Sequence, residues 1–345
     1  MSLDSDSDTG RVIQLDELRD ARGWETKRSA RLVLDGSDQT GSLRAATGAE
    51  AADFDSRLHA GMLVELDELR AAQRNLETQH QLDGALALMS RIGTPRTSTD
   101  AMELADALNF AVDGYCNKGQ TAEACALAAE TVELIYELDP NRRRRFGRSP
   151  RTFPAVYAAR VHAHAIEYNG DPDDAIHRLL ALHMTLSKTP EIGASPLDSL
   201  LILRGLLSSA KRDGSSTARR YADRARQQGD AILAKLEAAD SSATVAVAVA
   251  SYCHRAAIER RARQGASARG EAIELFERSL SLRPNTPRDL RSRGMAVGDL
   301  HVLRGDRKEG ARILTATVAG FEDVLPRHFD SARAQLIERD LLIAA

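Results

Sequence analysis

Cysteine is scarce in this chain: Cys116, Cys125 and Cys253 are the only three in 345 residues. An odd, sparse set excludes a disulfide framework and points to a reducing compartment. Aromatic residues make up 4% and there is one Trp, too few for the strands of a β-sandwich or barrel. The longest apolar run, Val245–Ala250, is far short of the roughly 18 residues that span a bilayer. The opening MSLDSDSDTG has neither a basic n-region nor an apolar h-region, so it does not read as a secretory signal. A soluble, cytoplasmic protein is expected. Lysine is also rare. Six of the 47 cationic residues are Lys, which leaves 41 Arg. Net charge is −3, so no global field draws the chain to nucleic acid or membrane. The cations are nonetheless guanidinium forks, whose geometry suits carboxylate and phosphate.

Catalytic signatures are missing too. There is no phosphate-binding G-x-x-x-x-G-K-[ST], no G-x-G-x-x-G after a strand and no H-E-x-x-H. His162 and His164 are two apart, and His177 and His183 are six apart, so on a helix neither pair shares a face for a metal. Cys116 and Cys125 read as buried small hydrophobes. Ser208-x-x-Lys211 has a serine–lysine spacing without the partner motifs that would give it meaning. No two carboxylates share an apolar setting that would separate their pKa values. The expectation is a protein that is not an enzyme and carries no cofactor or metal.

What is present is helical periodicity, punctuated by glycine and proline. Leu58, Met62, Leu66 and Leu69 fall on one helical face, and Leu82, Leu86 and Met89 on another. Gly93-Thr94-Pro95 ends that pair. Helical pairs then run over Ala105–Asn141, Pro154–Lys188, Pro196–Ala239, Ser242–Pro284 and Pro287–Leu325. They turn at Gly119, Gly170, Gly214, Gly265 and Gly305. Pro172 is placed at the first position of its helix with Asp171 as N-cap. A last helix, Asp330–Ile343, is expected to bury Leu336, Leu341 and Ile343 and to face Arg333, Glu338 and Arg339 to water. The alternating TVAVAVAS is read as helix because alanine fills every second place and a helical pattern follows.

The stretch Glu271–Asn285, EAIELFERSLSLRPN, resembles the second helix of a tetratricopeptide (TPR) repeat. Ala272, Phe276, Ser279 and Pro284 stand where that family places a small residue, an aromatic, a small residue and the closing proline. The turn glycines are spaced 51, 44, 51 and 40 residues apart, longer than the about 34 of a strict TPR. The likeness is thus to the longer hairpins of bacterial regulator sensor domains. It implies an all-α, right-handed α-solenoid of about five to six TPR-like hairpins over residues 51–345, with a C-terminal capping helix. Residues 1–50 are set apart as an acidic, partly disordered extension with a short helix. Asp4, Asp6 and Asp8 do not complete a calcium loop, since Gly10 is one place late and no Glu follows. LDELRDARGW, Leu15–Trp24, resembles the first helix of a lambda-repressor-like helix-turn-helix, with no recognition helix visible after it. A helix docking on the first repeat and a DNA-reading element are both open.

In TPR proteins positions 5, 9, 12 and 13 of each first helix face the concave groove. Setting each turn glycine as position 15 gives Asn109, Arg160, Arg204, Arg255 and Met295 at position 5. Position 9 reads Asp113, His164, Ser208, Glu259 and Asp299. Position 13 reads Asn117, Tyr168, Arg212, Arg263 and Leu303. Three successive arginines, with Arg212 and Arg263 beside them, make an arginine stripe suited to an acidic or carboxylate-bearing protein or peptide. The other reading is a surface neutralised by nearby Asp and Glu. Asn109, Asp113, Asn117, His164 and Tyr168 complete the candidate partner-binding set. Arg142, Arg143, Arg144 and Arg145 form a basic loop, read as solvated or as a weak anion or nucleic-acid contact. Two functions follow as expectations: a non-catalytic scaffold or adaptor gripping a protein segment, or a transcription-linked regulator whose helical domain senses a peptide or small ligand.

Overall fold

The computed structural model describes residues 12–14, 31–34, 43–45, 48–138, 152–189, 192, 195–239, 243–263, 265–283, 286–322 and 325–341. The basic loop at Arg142–Arg145, the stretch Leu15–Trp24, Pro284 and Ile343 lie outside them. The chain divides into two compact units, Met1–Glu65 and Leu66–Ala345. Helix α1, Gly48–Asn75, spans the composition change near residue 50 and runs on into the second unit.

The first unit holds a small sheet that the sequence reading did not include. Strands β1 (Val12–Gln14), β2 (Arg31–Leu34) and β3 (Leu43–Ala45) pair antiparallel in that order, with Val12 opposite Val33 and Leu32 opposite Ala45. The sequences VIQ and RLVL are rich in β-branched and apolar residues, a local strand signal too short to register against the acidic composition around it.

The described part of the second unit is all-α. After α1 come α2 (Thr78–Ile92), α3 (Ser98–Asn117), α4 (Thr121–Tyr136), α5 (Phe153–Tyr168), α6 (Pro172–Lys188), α7 (Pro196–Asp213) and α8 (Ser216–Ala239). They are followed by α9 (Ala243–Arg261), α10 (Ala266–Leu282), α11 (Pro287–Arg304), α12 (Arg307–Ala319) and α13 (Pro326–Glu338). From α2 onward each helix packs on the next, and α3 also packs on α5 and α7 on α9. Among the described residues no helix is long and apolar enough to cross a membrane.

The punctuation explains the boundaries. Thr97 and Ser195 each form a capping box with the carboxylate three residues on, which satisfies two free N-terminal donors at once. Asp171 caps α6 at 3.0 Å, with Pro172 opening the helix, as the sequence reading has it. All five turn glycines have positive φ. Gly214 shows why: it ends α7 in the left-handed conformation at φ 69°, its N–H donating to the Ala210 carbonyl, and a side chain there would strain against the following carbonyl. TVAVAVAS is helical, within α9.

Alanine-rich faces build the core. Ala124 and Ala128 of α4, and Ala272, Phe276 and Ser279 of α10, are fully buried. The Ser279 hydroxyl donates to the Ala250 carbonyl at 2.8 Å, so its burial leaves no unsatisfied group. Glycine brings α11 and α12 into close contact, since a Cβ on Gly310 would lie 2.7 Å from the Gly298 carbonyl oxygen. The last helix, α13, begins four residues before its expected start. Leu336 and Leu341 are buried and Arg333 and Glu338 exposed as expected. Arg339 departs from the expectation: its guanidinium donates to the buried Asp299 at 2.7 Å.

Candidate functional site

The inner helices α3, α5, α7, α9 and α11 line a cavity of about 270 Å³, partly open to solvent, within the second unit. Long-range contacts draw its far sides together. Arg288 of α11 pairs with Asp113 of α3 at 3.1 Å. Lys211 of α7 donates to Gln335 of α13 at 3.0 Å. Asp299 of α11 receives Arg261 of α9 and Arg339 beyond α13. Helix α13 also approaches α3. The space that the sequence reading has as an open groove is therefore narrowed to a cavity.

Seven of the ten candidate residues line it: Asp113, Asn117, His164, Tyr168, Arg204, Arg212 and Arg255. Asn109, Arg160 and Arg263 do not. Arg160 stacks over the Tyr157 ring, 4.7 Å from its centroid. Arg263 pairs with Asp223 at 2.6 Å and with Glu259. It is displaced because α9 ends at Arg261, four residues before Gly265, whereas the other four inner helices end one or two residues before their turn glycine. Measuring back from that glycine slips the register, and the inward-facing residue is Arg261. The sequence reading also missed Lys211, Arg283, Arg288 and Arg291. The i, i+3 spacing of Arg288 and Arg291 at the start of α11 is the signal that finds them.

Eight cationic side chains line the cavity, against the three carboxylates Asp113, Asp289 and Asp299. Four of the eight are neutralised. Arg288 pairs with Asp113 and Arg261 with Asp299, as above. Arg283 pairs with Asp289 at 3.0 Å, and Arg212 with the buried Glu167 at 2.7 Å. The remaining four are Arg204, Lys211, Arg255 and Arg291, and none has a carboxylate partner among the described residues. Arg204 donates to the Ser251 hydroxyl at 3.0 Å, and Lys211 only to the Gln335 amide.

The electrostatics reflect that imbalance. Burial, then Arg160, Arg255 and Arg288, push the Arg204 guanidinium down to about 10. Burial likewise takes Arg291 down to about 10, with Arg255 and Arg288 adding to it against Tyr168 and Asp113. Lys211 falls to about 7 through burial and the nearby Arg261 and Arg255, against Asp299. Burial and four arginines hold His254 well below its usual range, so it is uncharged at neutral pH. For Asp113 burial alone would raise the carboxyl. Arg288 and the amides of Gln73 and Gln81 outweigh it and keep the group ionised.

The serine–lysine spacing does not form a dyad. The Ser208 hydroxyl donates to Glu167 at 2.7 Å, and Lys211 is turned to α13. No group of three or more His, Cys, Asp or Glu among the described residues is placed to hold a metal ion. Comparison with family models, with curated proteins and with solved structures finds no match to this chain.

Proposed function

We propose that this chain is a non-catalytic receptor for an anionic ligand, which it holds inside a right-handed superhelix of TPR-like hairpins. The observation that carries the reading is the convergence of Arg204, Lys211, Arg255 and Arg291 on one cavity, none of them ion-paired to a carboxylate among the described residues. Burying like charges without counter-ions destabilises a fold unless something anionic compensates. A carboxylate or phosphate would accept from several guanidinium forks at once.

The narrowing of the groove favours a sensor over an open scaffold. A cavity of about 270 Å³ is at the small end for a bound ligand, and it suits a small molecule or a chain terminus better than a helical segment. Its walls come from both ends of the array, so a ligand that changes their balance can change how the ends meet. The transcription-linked form of this reading rests on Leu15–Trp24. A mobility-shift assay on host promoter DNA at low salt tests it, and absence of any shift counts against it.

The direct test is calorimetric titration with phosphate, pyrophosphate and citrate at low ionic strength. It compares the intact protein with a variant carrying Arg204→Gln, Arg255→Gln and Arg291→Gln. Binding by the former alone is expected, together with a higher melting temperature for the unliganded variant. Equal binding by both proteins, or none by the intact chain, refutes the reading.

A further inference from the structure

The cations of the cavity are not spread evenly around it. Its cations come from α7, α9, α10's end and α11. From residue 318 onward the described lining residues are Val318, Phe321, Leu325, Ala332 and Gln335, with no charge among them. Met295 of α11 continues this wall, and Ile258 of α9 adds apolar surface elsewhere in the lining. Met295 and Ala332 pack at the edge of the small core built on Leu314, Val318 and Leu336. Ile258, Met295, Phe321 and Ala332 are each only half-buried, so folding leaves part of an apolar surface turned to the cavity. Ligand pockets combine such surface with a few polar groups that fix orientation.

Resting on the reading of the cavity as an anion site, we infer that its ligand is an amphiphilic anion. A carboxylate or phosphate head would lie among Arg204, Arg255 and Arg291, and an aliphatic tail along the wall formed by Met295, Phe321 and Ala332. The surroundings of Tyr168 argue against a nucleotide stacked on its ring. The face of Tyr168 is taken by the Arg212 guanidinium, 4.4 Å from its centroid. His164 meets the same ring edge-on at 4.6 Å. A base would have to displace them to stack. An aliphatic chain makes no such demand. It needs only apolar contact, which the C-terminal wall supplies.

The tail reaches the elements that close the array. Gln335, on the same helix as Ala332, receives Lys211, and Arg339 at the end of that helix holds Asp299. Occupying the wall therefore bears on α13, and an amphiphile differs from a bare anion in what it can report.

The test is a calorimetric series on the full chain at low salt: acetate, hexanoate, octanoate and decanoate, all below their micelle concentrations. Inorganic phosphate and citrate serve as tailless anions and the matching alcohols as tails without heads. Affinity is expected to rise about fourfold for each methylene buried until the wall is covered, with a negative heat-capacity change. Alcohols should bind far more weakly than the acids. Phe321→Ser should flatten the chain-length series and leave citrate binding in place, whereas Arg255→Gln should weaken every acid alike. Citrate or phosphate binding with a flat series overturns the amphiphile and leaves the anion site standing. Failure of every anion overturns both. Equal binding of alcohols and acids overturns the anionic head. The series on the intact protein decides the matter even if Phe321→Ser fails to fold.

Discussion

Replacing Lys211 with Met should make the unliganded protein more stable at pH 7, although it removes a hydrogen bond. The Lys211 ammonium is pushed from 10.5 down to about 7, by burial first and then by Arg261 and Arg255. At about 1.4 kcal/mol per pKa unit, this depression sets a ceiling of about 5 kcal/mol on the cost of keeping the charge in the fold. Solvent screening at a partly buried site reduces it by about half. Losing the bond to Gln335, 3.0 Å away, costs about 1 kcal/mol. The net is a gain of about 1.5 kcal/mol at pH 7. The sign depends on pH. Between about 7 and 10.5 the unfolded chain binds the Lys211 proton and the folded chain does not, so this residue makes wild-type stability rise with pH through that window. Lys211→Met should lack that rise, and its advantage should shrink and then reverse as pH increases. Lys211→Arg, which keeps the charge, should show no gain. Urea denaturation at pH 7, 8 and 9 reads all three proteins. A Met variant less stable than wild type by the same amount at every pH would refute the claim that the cavity disfavours its own cations.

Two further outcomes test the frame around the cavity. Glu167 is buried and receives Arg212, Ser208 and Ser209. Burial alone would raise its carboxyl, but His164, Arg212 and Ser208 together hold it at about 2. Glu167→Gln should therefore cost about 3 kcal/mol at pH 7. This stabilisation is present above the ordinary 4.5 and is lost as pH falls toward 2, so urea curves of the two proteins should converge in acid. A loss that stays constant with pH would show that shape, not charge, is what matters there. Glycines in two helices should respond with opposite signs in thermal melts. Gly270→Ala meets nothing within 4 Å and should stabilise by about 1 kcal/mol through helix propensity. Gly298→Ala places a Cβ 2.5 Å from Leu314 Cγ and should destabilise by about 1–3 kcal/mol through overpacking. Equal effects would contradict the close α11–α12 contact.

Much of the helical layout was legible because its signals are local. Gly214 and Asp171 act on the few residues beside them, and a cap or a left-handed turn needs no tertiary context. The ladder of Ala272, Phe276 and Ser279 carries its own period. The sheet at residues 12–45 was not legible. Its strands are three or four residues long, and what selects them is pairing with segments outside the strand itself, from Val12 with Val33 to Leu34 with Leu43, which no window of that size contains. The start of α13 was misplaced for a similar reason: Pro326 opens the helix, but the sequence there offers no Ser, Thr, Asp or Asn cap to mark it, since the N-cap residue is Leu325.

The site was legible only in part, and the misses have one geometric cause. A fixed position per repeat assumes that each inner helix presents the same face at the same height. The lining residues instead step along the helices: Asp113 and Asn117 near the end of α3, His164 and Tyr168 near the end of α5, Arg204 to Arg212 on α7, Ser251 to Arg261 on α9, then Arg288 to Asp299 from the start of α11. A ring of side chains at constant height would include Asn109 and Arg160 and exclude Arg288 and Arg291. The drift does the opposite. It carries the early arginine out of the cavity and brings two late ones in. The same drift lets Arg288, at the first turn of α11, reach Asp113, in the last turns of α3, a contact across 175 residues. That pair commits Asp113 to Arg288, so that it acts on Arg291 only at a distance. So the feature that hid the site from a repeat-by-repeat reading is also what leaves Arg291 without a paired anion of its own.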